Sequence, residues 1–244
     1  MKKIVWSISF TLLLGFGLLV GFLLNPQLMY GNTTTYKNIT IHHRGELNQD
    51  LKQIIDLSLN TVAQSELFDD DFNSHLCLNQ GIYPQVVQAV LGDDVFTAFG
   101  NKVVVLGTPD EAFNRFRKWD RSLSYSQFLS HALLHNLQFQ HHGLWDANPL
   151  GRHPQWKWEG YVEYQVLGDL ATLEDLVKLI TPPETDDFTW IELSEEQGTI
   201  KRHVKYLALV KYGFEVLAWD YDALMHATTT EDELLSELLL HVHL

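Results

Sequence analysis

Two histidines stand four residues apart in "FLSHALLHNLQFQ", His131 and His135. Imidazole is a metal ligand, and two of them on adjacent turns of one helix can grip a single zinc ion. Phe128, His131, Ala132, His135 and Phe139 fall at helical spacing, which puts both rings on one stripe. Ser124 followed by Gln127 fits a capping box that starts this helix. Alone, such a pair is often just two histidines on a helix face. A third ligand has to come from elsewhere.

The stretch "HPQWKWEGYVEYQVLG" offers one. Pro154 suits the first helical position and Gly168 the C-terminal cap. Glu159 and Glu163 are four apart and share a face. Gly160 sits between them, where it costs ~1 kcal/mol against alanine. That cost is repaid where another helix comes close. The expected neighbour is the histidine helix, since a metal would draw Glu159 toward it. Glu163, one turn on, would then hold the far nitrogen of a ligand histidine. Solvated acids on an amphipathic helix would look the same in isolation.

Together the two stretches resemble the gluzincin metallopeptidases, particularly the bacterial peptidase-MA-like proteins. The carriers are His-x-x-x-His, a short loop, and then "WEGYVEY". The resemblance implies an α+β, zincin-like metallopeptidase domain with a small mixed-sheet lobe and a helical lobe. It implies His131, His135 and Glu159 as zinc ligands, with Glu163 behind them. "KRHVKYLALVKYGFEVLAWDYDAL" resembles a later segment of that helical lobe. One residue departs from the pattern. The family places its glutamate base after the first histidine, and here that position is Ala132.

An alanine exchanges no proton. Three readings stay open: a pseudo-peptidase that keeps zinc, a hydrolase whose base comes from elsewhere, or a scaffold that has lost its metal. For the second, His203, Tyr206, His142 and His153 are the candidates. His141, His142 and His153 lie in the loop "QFQHHGLWDANPLGRHPQW", which reads as the rim of a cleft. A non-enzymatic module that binds a peptide or envelope protein is the rival function.

The elements that must position these residues are legible in part. Residues 38–43 alternate as a strand, 48–65 carry one apolar helical face, and "NSHLCLN" reads as a second strand. "YPQVVQAVLG" is a short helix. Gly100-Asn101 turns a hairpin into a buried strand from Val103 to Leu106. From about residue 110 the strand signals stop, and "TPDEAFNRFRKW" (108–119), 124–142, 154–167, 172–180, 199–213 and 231–242 all read as helix. The expected domain covers 37–244, with an α/β lobe over 37–122 and a helical lobe over 123–244.

Ahead of it, "MKKIVWSISFTLLLGFGLLVGFLL" has Lys2 and Lys3 and then no charge. Residues 1–24 therefore read as an N-terminal transmembrane helix and signal-anchor, or as a cleaved signal peptide, with 25–36 as a linker. Either places the body outside the cytoplasm, periplasmic or extracellular, with the signal-anchor holding it to the membrane by a single pass. The chain carries 31 acidic against 17 basic side chains, net −14. That balance argues against a nucleic-acid partner. Cys77 is the only cysteine, so it forms no disulfide within the chain and reads as a buried small hydrophobe.

Overall fold

The computed structural model describes the backbone of residues 2–92, 96–118, 121–181 and 186–243. It begins with a helix, α1 (Lys2–Leu24), followed by a 3-10 turn at Pro26–Leu28 and two strands, β1 (Asn32–Tyr36) and β2 (Ile39–His43). Helix α2 (Asp50–Val62), β3 (Ser74–Cys77), α3 (Tyr83–Leu91), β4 (Phe96–Phe99) and β5 (Lys102–Val105) complete the first unit. Its sheet has the order β1-β2-β3-β5-β4. The three central strands run parallel and both edge strands run antiparallel. Apolar residues on consecutive positions explain why. Val103 and Val105 face one core while Val104 faces another, so the sheet is covered on both sides.

Two expectations about the N-terminal part are corrected. Among the described residues, no helix is long and apolar enough to cross a membrane. The transmembrane helix over 1–24 and the single-pass anchoring of the body are therefore overturned. A span needs ~20 consecutive apolar residues. The described side chains of α1 run from Ser9 to Leu24, with Leu12 outside them and Gly15, Gly17 and Gly21 among them. Nor is 25–36 a free linker. Tyr83 Oη donates to the Leu23 carbonyl at 2.7 Å, Pro26 is buried, and Asn32–Tyr36 is an edge strand of the sheet.

A third correction concerns 108–119. This stretch is not a helix. It holds β6 (Thr108–Asp110), a 3-10 turn at Glu111–Phe113, and β7 (Arg115–Lys118), which pairs with β8 (Arg121–Ser124). Asn114 takes a left-handed conformation at φ 51°, which ends the turn. Phe116 is fully buried between exposed neighbours and packs edge-on against Phe96 and Phe128. Its alternation is the strand period that the charged residues obscured.

The helical part follows: α4 (Tyr125–Asp146), α5 (Gln155–Leu167) and α6 (Leu173–Ile180), then a hairpin of β9 (Trp190–Glu192) and β10 (Gly198–Ile200), then α7 (Lys201–Glu215), α8 (Tyr221–His226) and α9 (Glu231–His243). Ser124 Oγ accepts from Gln127 N at 3.3 Å, so the serine half of the expected capping box forms. The Gln127 side chain goes elsewhere. It donates to Gly198 O at 2.6 Å and accepts from Gly198 N, pinning the hairpin to the first turn of α4.

Helix α4 packs on the sheet and α2 through Leu129, Leu133 and Leu137. Helices α5, α6, α7, α8 and α9 share a second core. Gly160 is the point of closest approach, but toward α7 rather than α4. A Cβ there would lie 2.7 Å from Tyr206 O and 2.8 Å from Val210 Cγ2. Gly160→Ala should therefore force α5 and α7 apart. Overpacking costs ~1–3 kcal/mol, against which the gain in helix propensity of ~1 kcal/mol is the smaller term. The expected net loss is up to about 2 kcal/mol in urea unfolding; an unchanged midpoint would show that the contact is soft.

Candidate metal centre

Helix α4 brings His131 and His135 to one face, and α5 crosses it with Glu159. Three donor atoms converge. His131 Nε2 and His135 Nε2 are 3.1 Å apart, Glu159 Oε2 is 3.2 Å from the second and 3.5 Å from the first. This is the group of His, Cys, Asp and Glu side chains, among the described residues, that is placed to hold a metal ion.

Whether zinc fits is a matter of geometry. Four ligands at ~2.0–2.1 Å around a tetrahedral zinc stand roughly 3.3–3.4 Å from one another. The three observed separations bracket that edge. Two imidazoles and a carboxylate also suit zinc as a donor set, and three protein ligands leave a fourth position for a small ligand.

The proton inventory agrees. Gln138 donates its amide nitrogen to Trp158 O at 3.1 Å, which fixes its orientation. Its Oε1 therefore faces His135 Nδ1, at 2.9 Å, and accepts that proton. The neutral His135 ring is left with a lone pair on Nε2, aimed at Glu159. Two acceptors face each other there, and a cation between them satisfies both. Without a cation, a proton on Nε2 takes that place, and the shifts of the two partners follow from it. Burial disfavours the His135 imidazolium, but Glu159 and Gln138 outweigh it and its pKa is raised. Burial disfavours the Glu159 carboxylate too, yet His135 and His131 hold its pKa well below the ordinary carboxylate value.

Gln138 went unread in the sequence, although it lies three residues after a ligand on the same helix. It occupies the role that the sequence assigned to Glu163. Glu163 itself is nearly inaccessible, and its Oε1 is 3.7 Å from His131 Nδ1, too far for a hydrogen bond. It accepts instead from His203 Nδ1 at 2.8 Å and from Thr199 Oγ1 at 2.9 Å. Burial pushes the Glu163 carboxyl up, and His203, His131 and Thr199 bring it net down. His203 is in turn raised by Glu163 despite its burial, and its ring stacks parallel to His131 at 6.3 Å. Partners that orient a ligand histidine commonly carry a 10–100-fold effect on metal affinity. Gln138→Leu should thus weaken zinc binding by roughly tenfold or more in a chelator competition. Glu163→Gln should weaken it less; the reverse order would make Glu163 the orienting residue.

Of the four groups considered as a substitute base, His203 alone lines the cleft beside the metal site. His142 bonds Tyr221 Oη at 2.8 Å, and His153 stacks on Trp158 at 5.5 Å. Trp158 stacks on His135 as well, so it stands between those loop histidines and the centre. His141 lies against His142 and Tyr221 rather than the cleft. Tyr206 is buried behind His203 at a ring separation of 6.0 Å. Cys77 is fully buried under the sheet, away from the site, and burial pushes its thiol up.

The cleft encloses about 810 Å³ and runs along the edge strand β4, over Ala132, to the hairpin of β9 and β10. Ala132 is 3% exposed and forms part of the cleft wall beside His131. No protein-family model matches this chain, and no curated protein matches it.

Proposed function

We propose that this protein is a zinc-binding, gluzincin-like metallopeptidase relative that holds a peptide in its cleft and turns it over weakly or not at all. The observation that carries the reading is the triangle of His131, His135 and Glu159 at tetrahedral spacing, opening on a cleft with alanine at the base position. A bound zinc supplies Lewis acidity and lowers the pKa of a coordinated water.

The chain's own residues do the rest. His131, His135 and Glu159 hold the ion, and Gln138 keeps the His135 tautomer correct. His203 has its Nδ1 committed to Glu163, which favours the imidazolium against burial; in that form Nε2 would offer a second N–H to a carbonyl oxygen in the cleft. Ala132 contributes no proton exchange. A positioned base is typically worth ~10²–10⁴-fold, or roughly 3–5 kcal/mol of barrier. Its absence favours retention of a peptide over cleavage. The acidic surface speaks against a nucleic-acid ligand.

The test is elemental analysis of the purified protein. About one zinc per chain is expected. A chain that takes up no metal after zinc dialysis would leave a scaffold with relic histidines.

A further inference from the structure

The cleft carries cationic groups that metal binding does not use. Arg121 at the start of β8 and Arg202 near the start of α7 both line it. Both lie against the same aromatic segment. The Arg121 guanidinium sits 5.6 Å from the Trp190 ring and that of Arg202 sits 4.6 Å from the Phe188 ring, two residues away. Arg202 N donates to Asp187 O at 2.9 Å, which ties the backbone there to the same segment. Gln127 holds the hairpin to α4 one turn before His131. Arg202 itself adjoins His203, whose ring stacks on His131. Both arginines thus line the same cleft as the three candidate ligands and lie against the segment that Gln127 helps tie to α4.

Among the described residues neither guanidinium forms an ion pair with a carboxylate, and Arg202 Nε is buried with no hydrogen-bond partner. A stacked guanidinium keeps its in-plane donors free for a planar, two-oxygen acceptor. The acids of the cleft are spoken for: Glu159 by the two ligand histidines, and Glu163 by His203 and Thr199. Among the described residues that line the cleft, the two guanidinium groups are then the charged groups without a carboxylate or histidine partner.

We infer that the cleft selects peptides bearing a carboxylate, an acidic side chain or a free C-terminus, which Arg121 and Arg202 hold beside the metal centre. This rests on the peptide-binding reading of the site. It adds a charge preference to it.

The test is calorimetric titration of the full chain, with zinc and without, using one hexapeptide series. Its members differ at one central side chain (glutamate, glutamine or lysine), each with a free and an amidated C-terminus. Charge-assisted hydrogen bonds to guanidinium predict that the preferred carboxylate tightens binding by roughly tenfold or more. The amidated glutamate peptide reports the side chain, and the free-acid glutamine peptide reports the terminus. Arg202→Gln and Arg121→Gln should each reduce that preference severalfold with zinc content unchanged. Arg202→Lys should retain part of it. Equal binding of all peptides, tighter binding of the lysine series, no binding at all, or a preference that survives both glutamine variants would overturn the inference. Zinc is measured in the same samples. A parent protein without zinc would count against the metal centre, while the titration would still decide the arginines.

Discussion

Ala132→Glu should convert this protein into a zinc-dependent peptidase, with activity on unstructured peptides rising by ~10²-fold or more. Residue 132 follows the first ligand histidine and lies in the cleft wall, so a carboxylate there would face the cleft beside the ligand set. Glutamate is a good helix former, and α4 should accept it. The native alanine is 3% exposed, so a carboxyl placed there would be largely shielded from solvent. Desolvation raises the pKa of a carboxyl placed there, toward the range in which it both takes and returns a proton. The gain should vanish with a chelator and return with added zinc. If Ala132→Glu binds zinc as the parent does and yet cleaves nothing across a broad peptide pool, the dormant-peptidase reading fails. The cleft would then serve binding alone.

His135→Ala should abolish zinc retention. His135 stands at the centre of the arrangement: its Nε2 contacts His131 Nε2 at 3.1 Å and Glu159 Oε2 at 3.2 Å, and its Nδ1 is held by Gln138. Without it two ligands remain, one fewer than the three protein ligands of a catalytic zinc site. Gln138 also loses its acceptor role, and Glu159 loses the partner that most holds its pKa down. The measurement is metal content after gel filtration, with a thermal melt of parent and variant in excess zinc. The parent should be stabilised by the metal and the variant should not, because only binding to the folded state shifts the melt. Equal zinc content in the two proteins would reject the site. A retained site would have to use ligands other than these three.

The sequence determined the chemistry of the site because that information is local. A spacing of four residues fixes two side chains on one helical face whatever the rest of the chain does, so His131 with His135, and Glu159 with Glu163, were each legible as pairs. So was the need for a close helix contact at Gly160. What it approaches was not legible, since a missing Cβ names no partner; the partner is Tyr206 and Val210 of α7. Nor could spacing tell which acceptor meets His135 Nδ1. Glu163 is on the expected face, but the crossing of α5 over α4 leaves it 3.7 Å from His131 and hands it to His203, forty residues away in sequence. The three-residue strands at 190–192 and 198–200 are too short to show a period, and only their pairing, with Gln127 bound to Gly198, brings Trp190 to the cleft wall, where Arg121 lies over its ring. Helical periodicity is a property of a few neighbouring residues. The closing of a cleft depends on pairings between distant segments, and in this chain only packing decided them.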